Sequence, residues 1–306
     1  TKLQHLVTPI TGRVPMHNRD IIIEAAVENL ATKKKIFTEL AEHSRPDTIL
    51  ATNTSALSIT ELASTIPHPE RVVGLHFFNP VHRMKLVEII YTDHTSAEVK
   101  QACLDHVRKL GKSPVLVKDS PGFLVNRILM PYLIEAGRLL EMGVAPTAID
   151  NALLSFGMPV GPIRLLDDIG LDVALHVAET MEVSYPDRMQ VPTLLKTMVE
   201  KGYLGRKSGK GISDFDHPKV LPMDADEIRD RLVLLMVAEA FRCLEEKIVQ
   251  SPDELDFAMI LGTGWAPFRG GPMQYAADRG MTEVHNRLRE FFESDGVIYC
   301  TPQSLN

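Results

Sequence analysis

The chain has 306 residues, with 40 acidic against 33 basic side chains and a formal net charge of -7, which excludes the basic face or stripe a nucleic-acid binder needs. Hydrophobic residues make up 44% and charged ones 24%, which excludes wholesale disorder; no apolar run approaches the ~18 residues of a membrane span. Cys103, Cys243 and Cys300 are odd in number and far apart, neither a disulfide framework nor a zinc spacing. A soluble intracellular protein without a secretory leader is expected, and at ~150 residues per domain its length predicts two domains.

From Asp20 to Lys118, short apolar runs alternate with helical patterns. Ile21-Ile22-Ile23, leading into Ala25-Ala26-Val27, reads as a buried parallel strand apolar on both faces. Ile36, Phe37 and Leu40 then recur at helical spacing, and Ile49-Leu50-Ala51 reads as the next strand. Residues 72–78, 86–91 and 115–117 read as three more, with a helix from Ser96 as N-cap to Leu110, stopped by Gly111. Strands alternating with helices predict parallel crossovers and a doubly wound α/β sheet.

After Pro121-Gly122 the periodicity is helical throughout. Ile128, Leu129, Tyr132, Leu133, Ala136, Leu139 and Leu140 share one face, and a shift of 104 maps them onto Leu232, Val233, Met236, Val237, Ala240, Cys243 and Leu244. Arg127, Glu135, Arg138 and Glu141 map onto Arg231, Glu239, Arg242 and Glu245. Further on, Asp150 matches Asp256, and Gly161-Pro162 matches Gly271-Pro272. Agreement of polar and apolar positions alike predicts two copies of one helical unit related by a pseudo-two-fold or similar operation.

A dinucleotide-binding sheet normally opens with a strand, a Gly-x-Gly-x-x-Gly turn and a helix whose N-terminus holds the pyrophosphate. Before Asp20 the only glycine is Gly12, with no strand-like run ahead of it. The glycine-rich stretch from Gly205 to Gly211 is one residue short of a P-loop and lacks its Ser/Thr, so it reads as an exposed basic turn.

Candidate chemistry lies between Glu24 and Asn126. His76 ends the run Val72-Val73-Gly74-Leu75, where open α/β sheets place ligand-binding residues. Glu88 sits inside the apolar run from Leu86 to Ile90, a costly place for an unpaired carboxylate. An imidazole would suit it, because a carboxylate fixes the tautomer and stabilises the imidazolium. Spacing alone leaves open that each is satisfied separately. Asn53-Thr54-Ser55 follows another strand end and reads either as a source of polar groups for the same crevice or as the approach to a helix cap at Ser58. Asn126 becomes Asp230 across the repeat, so whatever it does the second copy does not do.

The strings VENLATKK, ATNTSALSI, GLHFFNPVHRMKLVEII, LGKSPVLVKDSPGFLVNR and GPIRLLDDIGLD resemble the L-3-hydroxyacyl-CoA dehydrogenase family. The Pro-Phe-Arg-Gly-Gly-Pro stretch and the helical duplication are similar to the dehydrogenase part of multifunctional fatty-acid oxidation alpha subunits. The resemblance implies an α/β plus all-α chain, an incomplete Rossmann-type parallel sheet followed by a duplicated helical domain. Its expected units are residues 1–119, 120–225 and 226–306. It implies NAD as cofactor and a 3-hydroxyacyl-CoA as substrate, with His76 as general base and Glu88 orienting it. Ser55 and Asn126 would hold the substrate oxygen. Ala26, Val27, Glu28, Lys33, Ser55, Asn79 and Lys207 match cofactor positions, and Tyr275 a substrate-contacting one. A thiolase subunit and a second copy of the chain are the implied partners, in a bacterial-type cytoplasm or, with a leader upstream, a mitochondrion.

The family's first strand, glycine turn and first helix would precede Thr1. The chain is therefore expected to be a fragment, with residues 1–19 as a tail, weak NAD binding and little activity in isolation. Competing readings are a catalytically silent scaffold, a crystallin-like structural relative, or a hydroxy-acid dehydrogenase of the 6-phosphogluconate type.

Overall fold

A computed structural model describes residues 6–12, 14–216, 221–296 and 299–305. Five strands form one sheet in the order β1 (Ile21–Glu24), β2 (Ile49–Thr52), β3 (Val72–Phe77), β4 (Leu86–Tyr91) and β5 (Ser113–Lys118). Helices α1 (Leu30–His43), α2 (Ile59–Ala63) and α3 (Ala97–Lys109) connect them. Asn29, Ser58 and Ser96 cap these helices by accepting from the backbone N–H groups of Thr32, Glu61 and Val99. Gly111, at φ +72°, follows α3 as anticipated.

Two expectations need correction. β1 is not a buried strand apolar on both faces: it is an edge strand, ends at Glu24, and leaves Ile23 40% exposed. Nor is every connection a parallel crossover, because β3 and β4 pair antiparallel. A parallel return needs about a dozen residues or more, and residues 78–85 are too few, so the chain simply doubles back. In the resulting register His76 lies directly opposite Glu88.

Strand side chains alternate between two cores. Val73, Leu75, Val87 and Ile89 pack against Cys103 and Val107 of α3, while Val72, Leu86 and Ile90 face the helical half. Glu88 shares the face of Leu86 and Ile90, which aims it at the helices. The part of the expected N-terminal tail that is described carries no strand; residues 1–5 and 13 lie outside the described residues.

The helical half begins with α4 (Val125–Glu141), α5 (Pro146–Phe156), α6 (Pro162–Ile169), α7 (Leu171–Ser184) and α8 (Thr193–Glu200). It continues with α9 (Ala225–Glu245), α10 (Pro252–Thr263), α11 (Pro272–Arg279) and α12 (Met281–Asp295). The succession α9–α12 repeats α4–α7. Asp150 of α5 accepts from the N–H groups of Ile163 and Arg164 at the start of α6; Asp256 of α10 accepts from those of Met273 and Gln274 at the start of α11. A glycine lies beneath each carboxylate, and a Cβ on Gly161 or Gly271 would fall within 2.2–2.6 Å of it. Gly170 and Gly280 break the helices with nearly identical angles, φ 98°, ψ 125° and φ 97°, ψ 121°.

The long helices α4 and α9 pack side by side through a reciprocal exchange. Arg127 Nε donates to Glu239 Oε1 at 2.8 Å, and Arg231 Nη1 donates to Glu135 Oε1 at 3.3 Å. Each pair is the other's image across the repeat, as a two-fold contact requires. Two of the polar matches in the sequence, Arg127 with Arg231 and Glu135 with Glu239, are therefore buried cross-helix ion pairs.

Candidate active site

The β3–β4 register brings His76 Nδ1 to 2.7 Å from Glu88 Oε2, with Glu88 fully buried and His76 5% exposed. The other carboxylate oxygen, Oε1, accepts from the backbone N–H groups of Leu124 at 3.1 Å and Val125 at 2.9 Å. Glu88 thus sits on the N-terminus of α4, whose unpaired N–H groups complement a negative charge. Phe78 and Phe123 flank the imidazole, with ring centroids 4.5 and 5.7 Å away. With Nδ1 committed to the carboxylate, Nε2 is the nitrogen left to accept a proton.

His76 opens on a cleft of about 270 Å³ between sheet and helices. Its polar lining is Ser55, Asn79 and Asn126; its apolar wall comes from Leu129 and Leu133 on α4, Ile169 ending α6, and Val173 and Val177 on α7. Asn126 Nδ2 donates to the Ser55 backbone carbonyl at 3.3 Å, joining the β2 loop to the first turn of α4. The structure therefore brings His76, Glu88, Ser55, Asn79 and Asn126 together.

Beside the cleft, Glu28 accepts from Thr54 Oγ1 at 2.5 Å and from the Ser55 N–H at 2.9 Å, which fixes the loop carrying Ser55. Val27 is 67% exposed, while its carbonyl accepts from the Asn29 N–H. Lys33 is 1% exposed, and its Nζ donates to Glu24 Oε1 at 2.7 Å and Oε2 at 2.8 Å. Glu24 also accepts from Thr52 Oγ1 at 2.6 Å and the Ala26 N–H at 2.5 Å. Burial works against that charge, but the Lys33, Thr52 and Ala26 hydrogen bonds hold the Glu24 carboxyl below the usual range. Lys33 accordingly braces the end of β1 and does not present its amine to solvent.

Two expected site residues do not line the cleft. Lys207, in the exposed turn after α8, pairs with Asp172 and does not line the cleft. Its neighbour Arg206 pairs with Asp168 at 3.0 Å, so two of the three basic residues of this exposed glycine-rich turn are held in surface ion pairs. Tyr275 lines a separate cavity of about 430 Å³ in the second helical unit, where its hydroxyl meets Arg279 at 3.2 Å.

Glu24, which anchors Lys33 beside the site, is a residue that sequence reasoning misses. Its signal is indirect: Lys33 falls on the buried stripe of α1 with Phe37 and Leu40, and a buried lysine requires a carboxylate.

Residues 1–120 match the family described as 3-hydroxyacyl-CoA dehydrogenase, NAD binding domain, and residues 122–215 its C-terminal domain. The (S)-3-hydroxybutyryl-CoA dehydrogenase of Ralstonia eutropha is 42% identical, with 64% of this chain and 71% of that one covered, at a TM-score of 0.62. This chain belongs to the 3-hydroxyacyl-CoA dehydrogenase family. The 3-hydroxybutyryl-CoA dehydrogenase of Escherichia coli matches 94% of this chain and 80% of its own at TM-score 0.84 and 28% identity. A fatty acid oxidation complex subunit alpha from Idiomarina loihiensis is 40% identical over 94% of this chain. The chain spans 43% of that relative's length. No helix among the described residues is long and apolar enough to cross a membrane.

Proposed function

We propose that the chain forms the dehydrogenase portion of a protein that oxidises 3-hydroxyacyl-CoA to 3-oxoacyl-CoA with NAD. The observation that carries this reading is the His76–Glu88 pair at the C-terminal end of β3, buried on the carboxylate side and opening on an apolar cleft on the other. His76 Nε2 takes the proton of the 3-hydroxyl, and the C3–O bond becomes a carbonyl as the C3 hydrogen leaves as hydride. NAD, when bound, supplies the hydride acceptor. Glu88 stabilises the imidazolium; it is itself held by two N–H donors, so the ring cannot rotate away without breaking the set. Ser55 and Asn126 position the substrate oxygen at the cleft's polar lining. Ser55, Asn79, Ala26, Val27 and Glu28 form the exposed edge that would hold the nicotinamide half of NAD, and Lys33 acts behind it through Glu24.

The proposal carries a division into a cofactor unit to residue 119, a catalytic helical unit to 225 and a second helical unit beyond. The relatives' name, subunit alpha of a complex, supports a further subunit as partner, for which a thiolase is our choice, in the cytoplasm. Steady-state kinetics of His76→Ala in the whole protein of which this chain is the dehydrogenase portion test the function. A loss of about 10²–10⁴ in turnover with an unchanged melting temperature is expected, and a variant keeping more than about a tenth of wild-type turnover contradicts it.

A further inference from the structure

The duplicated helical unit provides an internal control for the cleft. Buried positions of α7 and α12 correspond at a fixed shift: Ala174, Ala178 and Met181 match Val284, Leu288 and Phe291. The same shift, carried back through the matching glycines Gly170 and Gly280, aligns Ile169, Val173 and Val177 with Arg279, Glu283 and Arg287. Asn126 aligns with Asp230.

In the second unit these four positions close on themselves as an ion cluster. Arg279 Nη1 and Nη2 donate to the two Asp230 oxygens at 2.8 Å each, Arg279 Nε donates to Glu283 at 2.8 Å, and Arg287 Nε reaches Asp230 at 3.4 Å. The helical plan itself therefore accepts charge at all three positions. In the first unit they are apolar instead, although Ile169 is 39% and Val173 48% exposed. Packing against the core accounts for half-buried Val177 but not for Ile169 and Val173. All three line the cleft that holds His76, together with Leu129 and Leu133.

Resting on the function proposed above, we infer that the strip Ile169–Val173–Val177 is the track for the alkyl chain of the acyl substrate, and that the site favours chains well beyond four carbons. Val173 and Val177 are one helical turn apart, about 6 Å, so a four-carbon acyl group held at His76 covers only the beginning of the strip. Each methylene laid against it should tighten binding by about two- to fourfold, the upper figure corresponding to full burial at about 0.8 kcal/mol.

Calorimetric titration of the protein with 3-hydroxybutyryl-CoA and 3-hydroxydecanoyl-CoA tests this. The ten-carbon ligand is expected to bind at least about 30-fold more tightly. The ratio should collapse to within about threefold in Val173→Glu and in Val177→Arg, which import the second unit's own residues, and fall part of the way in the milder Val173→Thr. Equal affinities in the unsubstituted protein overturn the track while leaving the proposed function standing. Equal loss of both ligands in the variants also overturns it, because the strip would then serve the thioester end. Failure of both ligands to bind the unsubstituted protein overturns the proposed function and the track together.

Discussion

The two helical units share one plan and put it to different uses. Both carry a long central helix, an aspartate that caps the third helix over a close-fitting glycine, and a glycine break before the fourth. In the first unit the surface beside the break lines a cleft with Asn126 and apolar side chains; in the second the matching surface is bound up in the Asp230 cluster. Keeping a fold thus fixes core and capping residues and leaves the exposed flank of the helices free to follow chemistry.

Even the shared plan is unequal in energy, and the central ion pairs allow the inequality to be measured. Glu239 accepts from Arg127 at 2.8 Å, Arg188 at 2.9 Å and Arg242 at 3.1 Å. Burial opposes its charge, but those arginines hold its carboxyl below the usual range. Its counterpart Glu135 accepts from Arg231 and Tyr299 through one oxygen, and burial pushes its carboxyl up. Glu239→Ala strips fully buried Arg127 of the acceptor for its Nε, while Glu246 still pairs with its two Nη atoms at 2.7 Å, and it also takes an acceptor from Arg188 and Arg242; it is expected to cost about 2–3 kcal/mol. Glu135→Gln keeps an acceptor for both donors and should cost about 1 kcal/mol or less. Urea unfolding of the two variants checks this; equal costs would break the asymmetry.

The smallest effect concerns the capping aspartates. Burial pushes Asp256 up to about 6, against the two backbone N–H bonds that pull it down, and Asp150 is raised in the same way. A carboxyl raised on folding binds more protons in the native state than in the unfolded chain between its unfolded value, near 4, and about 6. Its contribution is therefore complete below that window and is lost as pH rises through it. The melting temperature of the unsubstituted protein, relative to Asp256→Asn, should fall between pH 4 and pH 7. A difference independent of pH would show that Asp256 does not titrate there.

Much of this is legible in the sequence, for reasons that can be named. Strands β2 to β5 announce themselves as short apolar runs bounded by polar turns, and the duplication shows because buried arginines and glutamates repeat along with the apolar face. β1 misleads because an edge strand and a central one can carry the same isoleucines. The His76–Glu88 bond is only one of two readings at that level, since their pairing depends on β3 and β4 running antiparallel, which an apolar pattern does not encode. Glu24 escapes notice because its partners Lys33 and Thr52 come from a helix and a neighbouring strand. Lys207 and Tyr275 rest on resemblance alone, and the fold places both outside the cleft.

The most direct test of the central claim, that His76 and Glu88 act as one unit, is a double-mutant cycle on the turnover rate with a 3-hydroxyacyl-CoA substrate. If Glu88 works only through the imidazole, His76→Ala with Glu88→Gln should be no slower than His76→Ala alone, within about twofold, although each single substitution is strongly impaired. Multiplying effects in the double variant would contradict the account, because they would mean that Glu88 serves the reaction by a route that does not pass through His76.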